Sequence, residues 1–268
     1  MIFSVITPSF NCKDFILENT ESVRSQGMSP EQLEHWVIDG GSTDGTVEIL
    51  KETEGVKWIS ERDQGLSDAV NKGIQRAKGD WIIWLNADDL LAKDSCKVFL
   101  EYAAKNPQIR IFAGDLVFLR EDGMSEQTVK GWDYNLHDLL GTRTGMNQPS
   151  TFVHREVYEK VGLLDVSNRC AMDYEWLVRA MHHYSCVPIP QVLSYSRRRK
   201  GSITNTQMAG QFKEFLRQRR KYGKPFLSRA EFQIRFFIYT DWLRQMPRLR
   251  RTVRRVKRLF GKEPLHPM

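Results

Sequence analysis

The 268-residue chain contains no apolar run approaching the roughly 18 residues that crossing a bilayer requires. Its first ten residues, M-I-F-S-V-I-T-P-S-F, have neither the basic stretch nor the small-residue cleavage site of a secretory signal, and they read as a first strand. Cysteine is scarce: Cys12, Cys96, Cys170 and Cys186 lie far apart with no C-x-x-C pair, so reduced structural thiols are expected rather than a zinc or disulfide framework. Both common glycine-rich phosphate cradles, G-x-x-x-x-G-K-[ST] and G-x-G-x-x-G, are missing. Acidic residues are absent from Arg244 to Lys262, a stretch holding nine Lys or Arg; without those nine, the net charge of +7 would become about −2. The basic character therefore belongs to the tail.

What is present is a folded composition, 41% hydrophobic with 27% charged residues, which excludes a disordered chain. Strand-like runs at 2–7, 35–39, 56–60 and from Trp81 alternate with helical spacing over about 14–26, 46–55, 66–78 and 94–105. This β-α alternation predicts a mostly parallel, doubly wound sheet with right-handed crossovers. After 109–113 the rhythm changes to a hairpin at 115–120 and 126–130, a short strand at 151–154, a helix over 173–183 and an extended segment at 186–195 broken by Pro188 and Pro190. A soft boundary is placed near residue 205, before a helical, aromatic and basic extension over 206–268.

Four polar clusters fall at the predicted strand ends: Thr7–Asn11, Asp39–Asp44, Glu61–Gly65 and Asn86–Asp89. Loops at the carboxyl edge of a parallel sheet converge on one site. Taken singly, each cluster could be turn chemistry: Asp39 could cap the next helix, Gly41 and its neighbours could serve tight backbone, and Asp88 and Asp89 could be an Asp-rich turn. Taken together they suggest a phosphate site without a glycine cradle, in which a divalent cation on Asp88 or Asp89 neutralises the charge.

P-S-F-N at 8–11, V-I-D-G-G-S-T-D-G-T at 37–46, S-E-R-D-Q-G-L-S-D-A-V-N-K-G at 60–73 and L-N-A-D-D at 85–89 resemble, in order and spacing, the nucleotide-sugar half of family-2 glycosyltransferases with the GT-A fold. The resemblance extends through N-Q-P-S-T-F at 147–152 and A-M-D-Y-E-W at 171–176, covering roughly 2–205. It implies a Rossmann-like α/β domain, with residues 1–113 as donor half and 114–205 as a mixed α+β acceptor half. It also implies donor contacts from Thr7, Pro8, Ser9, Asn11, Asp39 and Gly41, with Asp39 accepting from a base imide N–H, and from Asp63, Gly65 and Lys72, the last aimed at the diphosphate. Asn86-Ala87-Asp88 stands where the family has D-x-D, so Asn86 is expected on the ribose, with Asp88 and Asp89 as ligands of Mn2+ or Mg2+. Asp173 is the expected base, Gln148 and Trp176 are expected on the acceptor, and Arg197 and Arg199 are expected in a basic loop over the diphosphate.

The resemblance points to an inverting, metal-dependent transfer from a UDP-sugar to a hydroxyl of a glycan; the basic tail motivates a polyprenyl diphosphate or other lipid as that glycan's carrier, at the cytoplasmic face of the inner membrane. The tail, R-L-R-R-T-V-R-R-V-K-R-L-F from Arg248, places Leu249, Val253 and Val256 on one stripe among arginines, which suits an anionic membrane surface. It also suits packing on the domain. No nucleic-acid partner is expected, since nothing in the first 205 residues supports one. The alternatives are a metal-dependent nucleotidyltransferase and a non-catalytic nucleotide-sugar or nucleic-acid binding protein.

Overall fold

A computed structural model describes residues 2–120, 122–141, 146–198 and 208–222. The elements run β1 (Phe3–Ser9), α1 (Lys13–Arg24), β2 (Leu33–Asp39), α2 (Thr46–Glu52), β3 (Val56–Ser60), α3 (Leu66–Arg76), β4 (Trp81–Trp84), β5 (Leu90–Leu91) and α4 (Ser95–Lys105). They continue with β6 (Ile111–Leu119), β7 (Ser125–Val129), α5 (Leu136–Leu139), β8 (Thr151–His154), α6 (Arg155–Val161), α7 (Met172–Ala180), β9 (Cys186–Arg197) and α8 (Met208–Lys221). The sheet orders its strands β3-β2-β1-β4-β8-β6-β9-β5, with β7 beside β6.

The expected parallel half is there: β2 and β4 flank β1, and β3 lies outside β2, all parallel. Ser9, Asp39 and Ser60 occupy one line across the register, so three of the four polar clusters leave the sheet at the same edge. Beyond β4 the sheet becomes mixed, since β8 runs antiparallel to β4 and to β6. Two sequence expectations change. The runs at 109–113 and 115–120 form one strand, β6, and β9 crosses its prolines unbroken as a parallel partner of β6. The register slips between Gly114 and Asp115, where the partner jumps from Ile189 to Val192, so Pro190 and Gln191 sit out of the ladder that proline cannot donate to.

Both faces of the parallel strands are covered, as their unbroken apolar runs require. Ile6, Ile38, Ile82 and Trp84 pack on α3, α6 and α7, while Phe3, Val5, Ile83 and Leu85 face Phe99 of α4 with Phe112 and Phe152. Helix α3 lies close on β1: a Cβ at Gly73 would come within 2.2 Å of the Ile6 side chain. The same core continues into α8 through Phe212, Phe215 and Leu216, with Phe215 edge-on to Tyr174 of α7 at 4.5 Å. Residue 205 lies outside the described residues; α8, which follows it, packs on this core.

One buried group makes the fold sensitive to acid. His35 on β2 is wholly buried, its Nε2 lies 2.8 Å from Thr7 Oγ1 and its Nδ1 has no partner, and burial lowers its pKa from 6.5 to about 3. Between those values the unfolded chain binds the extra proton. Stability is therefore full above pH 6.5 and falls as pH drops below it, by about 1.4 kcal/mol per unit. Urea midpoints at pH 7 and pH 5 should differ more for the wild type than for His35→Gln.

Candidate active site

The first two loops are zipped together before any ligand arrives. Asn11, at φ 51°, donates its backbone N–H to Ser42 Oγ at 2.8 Å and accepts from Thr43 N at 3.0 Å. Asp44 accepts from Lys13 N and from Thr46 N, each at 3.0 Å, and so joins the start of α1 to the start of α2. Pro8 and Ser9 are buried in the end of β1, and the Ser9 hydroxyl finds no protein partner. Phe10, to which the sequence alone assigns no role, is 62% exposed.

Asp39 is 0% exposed, and its carboxylate is bonded by its own neighbourhood: Gly41 N at 3.1 Å, Ser42 N at 2.9 Å, Ser60 Oγ at 2.7 Å and the Ser42 hydroxyl. Three of these donors fall on Oδ2 and one on Oδ1, so Oδ1 keeps acceptor capacity. The group beside it is Asp63. A Cβ on Gly40 would lie 2.6 Å from Asp63 Oδ2 and 3.4 Å from the Phe10 ring, so an aromatic face and a carboxylate border one small space. Asp63 Oδ1 accepts from Gly65 N at 2.8 Å, and Gly65, at φ 106°, starts α3.

The Lys72 ammonium meets Glu61 at 2.9 Å, Asp68 at 3.4 Å and Arg62 O at 3.2 Å, which ties it to the loop that precedes α3 and to the first turn of α3. Thr7 is fully buried between His35 and Asn19, so its hydroxyl is structural.

The acidic turn separates its two aspartates. Asp89 is 2% exposed; it accepts from Asn86 Nδ2 at 3.0 Å and from Arg197 N at 3.2 Å. Burial and then the adjacent Asp88 push its pKa up to about 7. A carboxylate so enclosed holds β9 against the turn, and it is the less accessible of the two aspartates. Asp88 is half-buried, and Ala87 is packed beneath it with Ile16 and Leu50. Asn86 is a hub as well: Oδ1 accepts from Trp84 Nε1 at 2.9 Å, and Nδ2 donates to Asp89 and to Gln148 Oε1 at 3.2 Å. Its expected ribose contact is reduced to the remaining lone pair on Oδ1. An aspartate here could not donate to Asp89, which accounts physically for asparagine at this position.

Asp173 stands in the first turn of α7, and burial raises its carboxyl above the ordinary range. It lines a narrow pocket with Gln148, Trp84, Tyr158, Leu164 and Trp176. Trp176 is the pocket floor: the ring stacks on Tyr158 at 4.5 Å and its N–H donates to Gly162 O at 2.9 Å, so it offers an acceptor little open surface. Gln148 spans the pocket, donating to Trp84 O and accepting from Asn86. Arg197 is tied to Glu18 at 2.8 Å, with its Nε buried and unpaired. Arg199 lies outside the described residues. Arg169, unremarked in the sequence, donates to Gln64 O and so joins the loop before α7 to the donor loop.

Among the described residues no cluster of three His, Cys, Asp or Glu could hold a metal alone. A divalent cation at this turn would need phosphate oxygens and water beside any carboxylate, a donor set that would suit Mg2+ or Mn2+.

The sequence profile of Glycosyl transferase family 2 matches residues 4–162. The chain belongs to that family. A PGL/p-HBAD biosynthesis glycosyltransferase of Mycobacterium bovis is 27% identical over 224 residues, covering 81% of this chain and 83% of the relative. The crystal structure of S. aureus TarS 1-349 in complex with UDP-GlcNAc superposes with a TM-score of 0.63 at 16% identity, covering 92% of this chain and 82% of that one. The mannosyltransferase PcManGT from Pyrobaculum calidifontis, in complex with GDP-Man and Mn2+, gives a TM-score of 0.61 at 20% identity, over 80% of this chain and 64% of that one. These likenesses establish the GT-A fold for this family-2 chain.

Proposed function

We propose that this family-2 glycosyltransferase moves a sugar from a nucleoside diphosphate, UDP foremost, to a hydroxyl of a lipid-borne glycan, with inversion at the anomeric carbon. One observation carries the reading. Asp173 lines the same pocket as Gln148, and Gln148 is bonded to Asn86 of the acidic turn, so a base and a diphosphate site share one small cleft.

The base of the nucleotide would stack on the exposed ring of Phe10, with its imide N–H donated to Asp63 Oδ2 over Gly40. Ser9 Oγ and Arg197 Nε are buried donors without protein partners, as expected of groups that a bound nucleotide satisfies. Asp88 would hold a Mn2+ or Mg2+ ion, which when bound supplies charge neutralisation on the departing diphosphate. Asp173 takes the proton from the acceptor hydroxyl as that oxygen forms its bond to the anomeric carbon; the bond from that carbon to the diphosphate oxygen breaks, and the nucleoside diphosphate leaves with its electron pair. Desolvation of Asp173 favours this role, because a higher carboxyl pKa makes a stronger base.

No helix among the described residues is long and apolar enough to cross a membrane. Attachment to the cytoplasmic face of the inner membrane is assigned to Arg244–Lys262, which lie outside the described residues, on the strength of their basic amphipathic pattern.

A panel of UDP-, GDP- and dTDP-sugars, with polyprenyl diphosphate-linked acceptors and Mn2+, Mg2+ or chelator, tests the reading by nucleotide release and by NMR of the product's anomeric proton. Cation-dependent transfer with inversion is expected for one donor. Retention of configuration, or cation-dependent release of pyrophosphate in place of nucleoside diphosphate, would replace it with another reaction.

A further inference from the structure

The turn that carries Asp88 is held from behind, by a residue with no exposure to the cleft. Asn19, in the middle of α1, is wholly buried. Its Nδ2 donates to Asn86 O at 2.9 Å and to Asp89 O at 2.8 Å, so both amide hydrogens are spent on the two carbonyls that bracket Ala87 and Asp88. Asn86 O also accepts Asp89 N at 2.9 Å, which closes the turn itself. The orientation of the Asn19 amide is forced, because two carbonyls can only accept. Its Oδ1 in turn accepts from Thr7 Oγ1 at 3.4 Å, and the Thr7 oxygen lies 2.8 Å from His35 Nε2.

The helix extends the same grip along the chain. Ser22 Oγ accepts from Leu91 N at 3.1 Å and donates to Asn19 O at 2.7 Å, while Gln26 donates to Ala92 O at 2.9 Å and accepts from Cys96 N at 3.1 Å. Buried Asn19 and half-buried Ser22 of α1, with buried Gln26 just beyond its end, stand at i, i+3 and i+7 and all bond the 86–96 segment. A helix in this place needs only an apolar face to pack. Buried amides that cap backbone carbonyls instead fix where that backbone stands, since leaving those groups unpaired in a dry interior is costly.

We infer that Asn19 is a positioning residue for the donor site: through the Asn86 and Asp89 carbonyls it sets the place of the Asp88 carboxylate, and so the affinity for cation and nucleoside diphosphate together. The inference rests on the reading of Asp88 given above.

The test uses calorimetric titration of the full chain with Mn2+ and with UDP in the presence of Mn2+, alongside donor KM and kcat. Asn19→Leu keeps the branched shape and removes the amide. It is expected to weaken UDP binding in Mn2+ at least tenfold and to raise donor KM in proportion, while kcat at saturating donor changes less than twofold. Val23→Ala, a cavity on the same helix away from the turn, serves as the stability control and should bind as the wild type does at a comparable loss of melting temperature. Should Asn19→Leu fail to fold, Asn19→Ser, which keeps a single donor, is expected to give a threefold to tenfold loss. Wild-type affinity and KM in the folded Asn19 variant overturn this inference alone. Failure of the wild type to bind UDP with Mn2+ overturns the donor reading and this inference with it.

Discussion

Asp173→Asn is expected to lower kcat by about 10³-fold while leaving the affinity for UDP within about threefold. The replacement is isosteric, and asparagine can still accept at the N-terminus of α7, so the helix and the pocket around Trp84, Tyr158 and Trp176 should survive. What disappears is, among the described residues lining that pocket, the only group able to take a proton at neutral pH, since Gln148 is an amide and Tyr158 is a buried phenol whose pKa burial raises. Donor binding is insulated because Phe10, Asp63 and Asp88 belong to other loops. The pH dependence follows from the direction of the shift: a base acts deprotonated, so with Asp173 in the proposed role kcat/KM should fall on the acid side, with a midpoint above the ordinary carboxylate value. Single-turnover transfer measured beside calorimetric UDP binding checks both effects, and near-wild-type turnover excludes Asp173 as the base.

The two aspartates of the turn should fail differently. Asp88→Ala is expected to reduce cation and donor affinity together, by about 10- to 100-fold, with a nearly unchanged melting temperature; a carboxylate that acts through phosphate-bound metal contributes to binding more than to folding. Asp89→Ala removes the acceptor of Asn86 Nδ2 and Arg197 N in a dry site and should cost about 1–3 kcal/mol of stability. Denaturant midpoints with Mn2+ titrations on both variants separate these outcomes. Equal loss of metal affinity with equal loss of stability would mean that the turn has no division of labour.

Much of this was legible in the sequence, for a physical reason. Strands buried on both faces leave unbroken apolar runs such as W-I-I-W-L, helices leave a 3.6-residue period, and in a parallel sheet the polar residues after each strand must share an edge. The side-chain assignments were harder. Asp39 Oδ2 accepts from the N–H groups of Gly41 and Ser42, where an Asx turn places them, so the sequence alone does not separate turn chemistry from a ligand contact at this residue. Lys72 stands four residues after Asp68, and that helical pairing was visible, but Glu61 reaches it from outside the helix and no spacing rule predicts this. Asn19 gave no signal, since one asparagine among E-N-T-E-S looks like a solvated helix face until the fold turns it inward. Pro188 and Pro190 predicted a break that the register slip beside Gly114 absorbs.

Helix α8 joins the core where α7 does, with Phe215 against Tyr174 one residue after Asp173, and Arg219 donating to Gly141 O at 2.9 Å. Phe215 therefore bears on the first turn of α7, the turn that carries Asp173. A substitution in α8 that displaces Phe215 would shift Tyr174 and the helix start beside it, so α8 acts as a buttress of a pocket that none of its own residues line.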